Sequence, residues 1–197
     1  MRAQPLTGRA GALFSRDMRR ILVTAIALGL ATPALACPPV ADRSAELATL
    51  IDRAQEAPNE MAGREISNQM WEIWTTAPDE AAQELLRQGT SALRVADSLR
   101  AIAAFDALVD YCPDYAEGYN QRAFVYFLNG EFEKALVDLE RTVAINAEHV
   151  GALSGLALTL TALGREDEAQ DWLRAALALN PWIPERGLLK EPAGEEL

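Results

Sequence analysis

The stretch that decides the fold runs from Ala116 to His149 and reads AEGYNQRAFVYFLNGEFEKALVDLERTVAINAEH. Residues 150–183 align with it without a gap, and so do residues 82–115, so that each block has 34 residues. Self-similarity at a fixed period of roughly 20 to 50 residues is the sequence signature of a repeat architecture. The chain is therefore predicted to contain three consecutive repeats.

Two positions of the repeat carry a small residue in all three copies. Small side chains at such positions let two paired helices cross closely, whereas a leucine there would push their axes apart. They are Gly89, Ala123 and Ala157 at the eighth position, and Ala101, Ala135 and Ala169 at the twentieth.

The remaining positions divide each repeat into two helices. Gly130 and Gly164 stand at the fifteenth position, where a left-handed turn favours glycine, while the first repeat has Ala96 there. We expect Asp114 and Asn146 to lie before new helices as caps. The predicted helices cover residues 82–95, 98–111, 116–129, 132–146, 150–163 and 166–179.

This pattern of small, apolar and turn positions resembles the tetratricopeptide repeat (TPR) family. The resemblance implies an all-α fold, a short right-handed solenoid of helix-turn-helix repeats spanning TPR 1 (82–115), TPR 2 (116–149) and TPR 3 (150–183). Residues 37–81 have apolar side chains at helical spacing and are expected to form an N-terminal arm and a degenerate helical hairpin that caps the array. Trp71 and Trp74 are expected to be core or capping-helix anchors and not ligand platforms. Residues 184–197 are expected to be a C-terminal tail.

In the family, the first helix of each repeat lines a concave groove that binds protein segments. Phe124 and Phe127 are the expected anchors, because large aromatic residues on a concave wall are costly to expose. The alternative is that the C-terminal segment or the N-terminal arm folds back and covers them. Arg94 could pair with Asn120 around a terminal carboxylate, which is thin support for that mode of binding. The groove positions implied by the resemblance are Gln83, Leu86, Thr90, Leu93, Glu117, Asn120, Phe124, Phe127, Gly151, Ser154, Leu158 and Thr161.

The N-terminus resembles a bacterial secretory signal peptide, residues 1–36. Arg19 and Arg20 precede an apolar run at residues 21–32, and Ala34-Leu35-Ala36 is a small-residue cleavage site. We expect Met18 to be the true start and the product to be periplasmic. Cleavage after Ala36 removes five arginines and one aspartate, so the net charge falls from −11 to −15. The apolar run is too short for a convincing membrane span.

The chain has two cysteines, Cys37 and Cys112, and in an oxidising compartment they are expected to form a disulfide. The competing interpretation is that Cys37 is lipidated, which would make the product a membrane-attached lipoprotein. Ala34-Leu35-Ala36-Cys37 departs from the usual lipobox, and lipidation would leave Cys112 as a free thiol.

Few residues are suited to catalysis. His149 is the single histidine and is expected to be a surface or hinge residue between repeats. Without a second histidine or a free cysteine, the usual nucleophilic sites cannot be built, and no metal ligands or cofactor motif appear. The acidic net charge disfavours nucleic acid as a partner. The predicted function is a non-enzymatic protein-binding scaffold of the bacterial cell envelope; the alternative is a lipid-anchored structural component of envelope assembly.

Overall fold

The computed structural model describes residues 36–190, which fold into eight α-helices and a short 3-10 helix at Pro184–Leu188. The predicted signal peptide, apart from Ala36, and the predicted start at Met18 lie outside the described residues, as do residues 191–197 of the predicted tail. The helices are α1 (Ser44–Gln55), α2 (Glu60–Trp74), α3 (Glu80–Arg94), α4 (Ser98–Tyr111), α5 (Ala116–Leu128), α6 (Phe132–Ile145), α7 (Val150–Ala162) and α8 (Glu166–Leu179).

The helices from α3 to α8 form three pairs, and each pair packs on the next. Helices α5 and α7 begin at Ala116 and Val150, the first residues of the second and third repeats in the alignment. Helix α3 begins earlier, at Glu80, because the Asp79 carboxylate accepts a hydrogen bond from the N–H of Ala82 at 2.8 Å. The predicted all-α fold of helix pairs is confirmed.

The small residues at the eighth and twentieth positions mark the helix crossings. Gly89 of α3 is buried directly against the ring of Phe105 of α4, and a Cβ atom at Gly89 would overlap that ring. Ala101 and Ala123 are both wholly buried. Close packing of this kind leaves no room for an additional methyl group, since protein interiors are packed as densely as organic crystals.

The turns inside the three repeats have the same backbone geometry. Gly130 and Gly164 have φ angles of 76° and 73°, in the left-handed region that favours glycine. Ala96 adopts the same conformation, with φ at 57°, although it has a side chain. In each turn the next residue, Asp97, Glu131 or Arg165, donates its N–H to a carbonyl five residues back. The turn is therefore set by the repeat and not by glycine alone.

The predicted caps at Asp114 and Asn146 are wrong. Helix α5 is preceded by Tyr115, and α7 is preceded by His149, whose Nδ1 accepts the N–H of Ala152 at 3.2 Å. The side chain of Asn146 accepts the N–H of Glu148 instead, which shapes the loop before α7. The last residue of the second repeat thus supplies the cap.

The hairpin of α1 and α2 caps the array at its last repeat and not at the first repeat, which follows it in the sequence. Helix α1 packs on α8, beside the last repeat. Leu50 and Ile51 of α1 and Met70 of α2 share one apolar cluster with Leu153 and Leu173 of that repeat. Because α8 would otherwise present an open apolar face, the hairpin covers the surface that a fourth repeat would cover.

Polar contacts fasten the hairpin to the segment that follows α8. The indole of Trp182 lies on Gly63 of α2, and its Nε1–H donates to the carbonyl of Ala54 at 3.0 Å. The amide of Asn180, which is 1% exposed, donates to the Ser67 hydroxyl at 2.7 Å. These bonds join residues that are more than 100 positions apart in the sequence.

The predicted disulfide between Cys37 and Cys112 is present, with Cα atoms 5.2 Å apart. It links the arm before α1 to the end of α4, across a sequence separation of 75 residues. Bonds that close long loops restrict the unfolded chain and typically stabilise a fold by about 2 to 4 kcal/mol. Neither cysteine is therefore a free thiol in the structure.

We expect Gly89→Ala to lower the free energy of unfolding by about 1 to 3 kcal/mol, because the added methyl group would overlap Phe105. Helix propensity alone would predict the opposite sign, since alanine is the better helix former. Urea unfolding of the oxidised protein measures the change. The matched control is Gly187→Ala, where no atom outside the local backbone and the two neighbouring residues lies within 4 Å of the new methyl group. Equal stability of the two variants would contradict the close crossing.

Candidate functional site

A carboxylate is buried at the start of α5, beneath the loop that leads into α7. Glu117 is 1% exposed and accepts three hydrogen bonds. Its donors are the amide of Asn120 at 3.0 Å, the amide of Gln121 at 2.6 Å and Nε2 of His149 at 3.0 Å. A buried carboxylate is tolerated only when such donors replace water.

His149 is wholly buried, so the expectation of a surface or hinge histidine is wrong. Its Nδ1 accepts the backbone N–H of Ala152, which leaves Nε2 as the nitrogen that carries hydrogen and donates to Glu117. The ring also stacks on Trp74 with centroids 4.3 Å apart. His149 thus joins α2, α5 and α7 and has no face open to a substrate.

Tyr115 completes the attachment of α2 to the repeats. Its hydroxyl donates to the carbonyl of Trp74 at 2.7 Å, and the side chain is 3% exposed. Burial, with a smaller contribution from the nearby Glu117 carboxylate, raises the pKa of Tyr115 well above its ordinary value. The phenol therefore remains a neutral hydrogen-bond donor throughout the physiological range.

A cavity of about 320 Å³ opens on the wall formed by α5 and α7. Phe124, which is 50% exposed, and Phe127 line it from α5, and Leu158 lines it from α7. The indole of Trp71 enters from α2 and packs where Gly151 has no side chain. Gly155 lies next to Leu139 in the same lining. The cavity is thus largely apolar and partly closed by the hairpin.

The structure places six of the predicted groove residues in the lining of this cavity. They are Asn120, Phe124, Phe127, Gly151, Ser154 and Leu158. Asn120 lines the cavity, but its amide group is not free to bind a ligand, because it is buried and donates to Glu117.

The other predicted groove residues lie outside the cavity lining. Leu86 is only 3% exposed, because this face of α3 packs against the apolar core between the first two repeats. Thr90 bonds back to the carbonyl of Leu86, Leu93 packs on the same core, and Thr161 is exposed at the end of α7. Arg94 is exposed and donates to Ser91, so it forms no pair with Asn120.

Gln83, at a groove position of the first repeat, serves the turn before α3. Its amide oxygen accepts the N–H of Ala77 at 2.9 Å, and its nitrogen donates to the carbonyl of Thr75. The same turn contains Asp79, whose pKa is lowered by the Ala82 N–H and the Tyr111 hydroxyl. Gln83 therefore stabilises the turn before α3 and does not line the cavity.

Two contributors to the cavity that sequence reasoning missed, Trp71 and Glu185, come from outside the three repeats. Trp71 was expected to be a core or capping-helix anchor; it packs on Gly151 of α7, but it is also 36% exposed and its ring forms one wall of the cavity. Glu185 comes from the 3-10 helix after α8 and brings a carboxylate to the rim. Both residues lie outside residues 82–183, so the repeat alignment could not predict that they line the cavity.

Ion pairs attach α5, which forms one wall of the cavity, to neighbouring helices. The guanidinium of Arg122 contacts Asp138 of α6 at 2.7 Å and Asp106 of α4 at 2.7 Å. The hydrogen bond to Asp138 raises the pKa of Arg122 further above its ordinary value. Arg122 therefore holds three helices of the first two repeats together.

The comparisons with known proteins agree with the helix pairs. A sequence profile described as "Tetratricopeptide repeat" matches residues 126–182. Tetratricopeptide repeat protein 36 of Homo sapiens is 31% identical over 128 residues, which cover 61% of this chain and 67% of the human protein. The chain belongs to the tetratricopeptide repeat family.

Other tetratricopeptide repeat proteins match over shorter lengths. A TPR repeat-containing protein of Rhizobium etli is 30% identical over 101 residues, 51% of this chain and 50% of the relative. The chain thus spans only about half the length of that relative. Among solved structures, the first TPR domain of Spaghetti (RPAP3) bound to the HSP90 peptide SRMEEVD has a TM-score of 0.54 at 25% identity. The match covers 55% of this chain and 89% of that one.

The Arabidopsis OM64 TPR domain has a TM-score of 0.54 at 22% identity, with 55% of this chain and 90% of that chain covered. It supports the fold alone. Within residues 36–190, no helix combines the length and apolarity that a membrane span requires. The same residues contain no cluster of three or more acidic, histidine or cysteine side chains suited to a metal ion.

We expect His149→Ala to lower the free energy of unfolding by about 3 kcal/mol. It would leave a cavity under Trp74 and remove one donor from the buried Glu117. Chemical denaturation followed by tryptophan fluorescence measures the loss. Glu148→Ala, at the exposed neighbouring position, is the control and should change stability by less than about 0.5 kcal/mol. A His149 variant as stable as this control would contradict the network.

Proposed function

We propose that the protein is a non-enzymatic scaffold that binds a segment of another protein in the cavity between its second and third repeats. One observation carries the proposal. Phe124 keeps half of its surface exposed beside Phe127 and Leu158, in a concave lining that the fold leaves open. Large apolar side chains in a concave and partly desolvated site are typical anchors for protein partners.

Family relationships support a binding role. Tetratricopeptide repeat proteins are protein-interaction scaffolds, and the Spaghetti domain of similar fold is bound to an HSP90 peptide. The chemistry of this chain also favours binding over catalysis. His149 is wholly buried between Glu117 and Trp74, and both cysteines are in the disulfide. These residues lack the accessibility that a nucleophile or a general base needs.

We further propose that the protein acts in the cell envelope after export. The signal-like residues 1–36 and the disulfide support this location, because disulfides persist in oxidising compartments. The alternative of a lipid-anchored component would need the sulfur of Cys37, which the disulfide already uses.

Photo-crosslinking tests the binding site. We expect p-benzoylphenylalanine in place of Phe124 to give a discrete protein adduct in the producing cells. The same probe in place of Val137, which is 64% exposed on α6 and outside the cavity, should not give that adduct. Adding Leu158→Glu to the Phe124 probe should abolish the adduct, because the new charge would enter an apolar lining. Circular dichroism checks the fold. Equal adducts from both probe positions, or none, would reject the cavity as the binding site.

Mass spectrometry of the protein purified from cells under non-reducing conditions tests the location and the state of Cys37. We expect a chain that begins at Cys37, without lipid, and with one peptide pair joined through Cys37 and Cys112. A diacylglyceryl group on Cys37 would reject this proposal, and an intact N-terminus would reject export by cleavage. Reduction before digestion should release the two peptides and serves as the control.

A further inference from the structure

We propose that the cavity selects a segment carrying a bulky apolar residue next to lysine or arginine, and that it rejects acidic C-terminal tails. This inference rests on the proposed function, because it names the chemistry of the partner at the same site. It follows from the charges and hydrogen bonds around the cavity, and from the side chain of Trp71, which already packs inside it.

The first observation is the absence of positive charge from the lining. The described residues that line the cavity include no lysine or arginine, and the one ionisable group among them is Glu185. A carboxylate that entered would lose water against Phe124 and Trp71 and would gain no cation in return. It would also face Glu185, which is in no ion pair among the described residues. Acidic segments are therefore disfavoured both by the loss of water and by repulsion from Glu185.

The second observation concerns the polar groups that could hold a terminal carboxylate. Asn120 is 6% exposed, and its amide already donates to the buried Glu117. Arg94 lies outside the lining and donates to the Ser91 hydroxyl at 2.7 Å. The donors that would recognise a chain end are thus not assembled.

The third observation is that the cavity already accepts an aromatic side chain. The indole of Trp71 packs on Gly151 so closely that a Cβ atom there would lie 2.8 Å from the ring. Gly151 and Gly155 lie one helical turn apart on α7, and both line the cavity. Trp71 fills the space at Gly151 and Leu139 fills the space at Gly155, so the chain already packs an aromatic and an aliphatic side chain against this face of α7. A bulky apolar side chain from a partner would enter beside them, in the part of the cavity that Phe124 lines.

The fourth observation favours a cation beside that apolar residue. Trp71 and Phe124 keep 36% and 50% of their surface exposed, and lysine and arginine are attracted to aromatic rings. Glu185 at the rim adds an opposite charge, and the whole chain has a net charge of −11. Electrostatic complementarity of this kind accelerates association with basic partners and selects against acidic ones.

The experiment uses a random peptide library displayed with both internal and free C-terminal segments, selected on the oxidised mature protein. A selected peptide is called groove-dependent when Leu158→Glu in the protein abolishes its binding. We expect groove-dependent peptides to contain an aromatic or leucine residue within about two positions of lysine or arginine. Their synthetic forms should bind in fluorescence anisotropy, and the acidic peptide SRMEEVD should not.

Two charge reversals provide the sharper comparison. Glu185→Lys should weaken the selected basic peptide about tenfold at low salt and by less at high salt. Asp52→Lys makes the same change of charge at an exposed position of α1 that is outside the cavity and in no ion pair among the described residues, and it should leave binding within about twofold. Thermal unfolding checks that both variants fold.

The outcomes separate this inference from the proposed function. Groove-dependent peptides that are acidic, that need a free C-terminus or that show no charge preference would overturn the inference and leave the scaffold function standing. Equal weakening by Glu185→Lys and Asp52→Lys would overturn the local role of Glu185. If no selected peptide depends on the groove, both the inference and the proposed function fail.

Discussion

The contact between the α1–α2 hairpin and the last repeat is the interaction on which the rest of the structure depends. Three repeats are about the smallest number that can bury a continuous core. The last pair, α7 and α8, would expose Leu153 and Leu173 if nothing followed it. The hairpin covers these side chains, and Trp182 and Asn180 hold it there through hydrogen bonds. The array is thereby closed by residues from its own N-terminal side.

Closure of the array also shapes the binding site. Helix α2 reaches α7 because its end is fastened by Tyr115 and by the stack of Trp74 on His149. That position brings Trp71 onto Gly151, so part of the concave wall is occupied by the chain itself. What remains open is the shorter cavity around Phe124, between the second and third repeats. The same contact therefore stabilises the fold and limits what the groove can accept.

The repeats were predictable because their signals are local. Small residues at fixed spacing, such as Gly89 and Ala123, set the helix crossings, and Gly130 and Gly164 marked two of the turns. The hairpin was predictable as helices but not in its location, since its contacts with Trp182 join residues more than 100 positions apart. A tryptophan pattern at helical spacing says that a helix buries one face, and it does not say against which partner.

The site was predicted in part for the same reason. Phe124, Phe127, Ser154 and Leu158 follow from the repeat register. The burial of His149 could not be anticipated, because it depends on Trp74 arriving from outside the repeats. Leu86 occupies an equivalent position to Asn120, yet it packs in the core of the first repeat. Equivalent positions in a repeat thus differ when their neighbours outside the repeat differ.

The N-terminal arm and hairpin, which together contact both the first repeat and the last, have a consequence for how the molecule loses its structure. Open repeat arrays behave as nearly one-dimensional systems, in which terminal units fray while central units stay folded. Here the hairpin shares one apolar cluster with the last repeat, while the disulfide ties the arm before it to the first repeat and Tyr115 donates to the carbonyl of Trp74. Fraying at either end would have to break contacts with the segment that also holds the other end, which favours unfolding of the array as one cooperative unit.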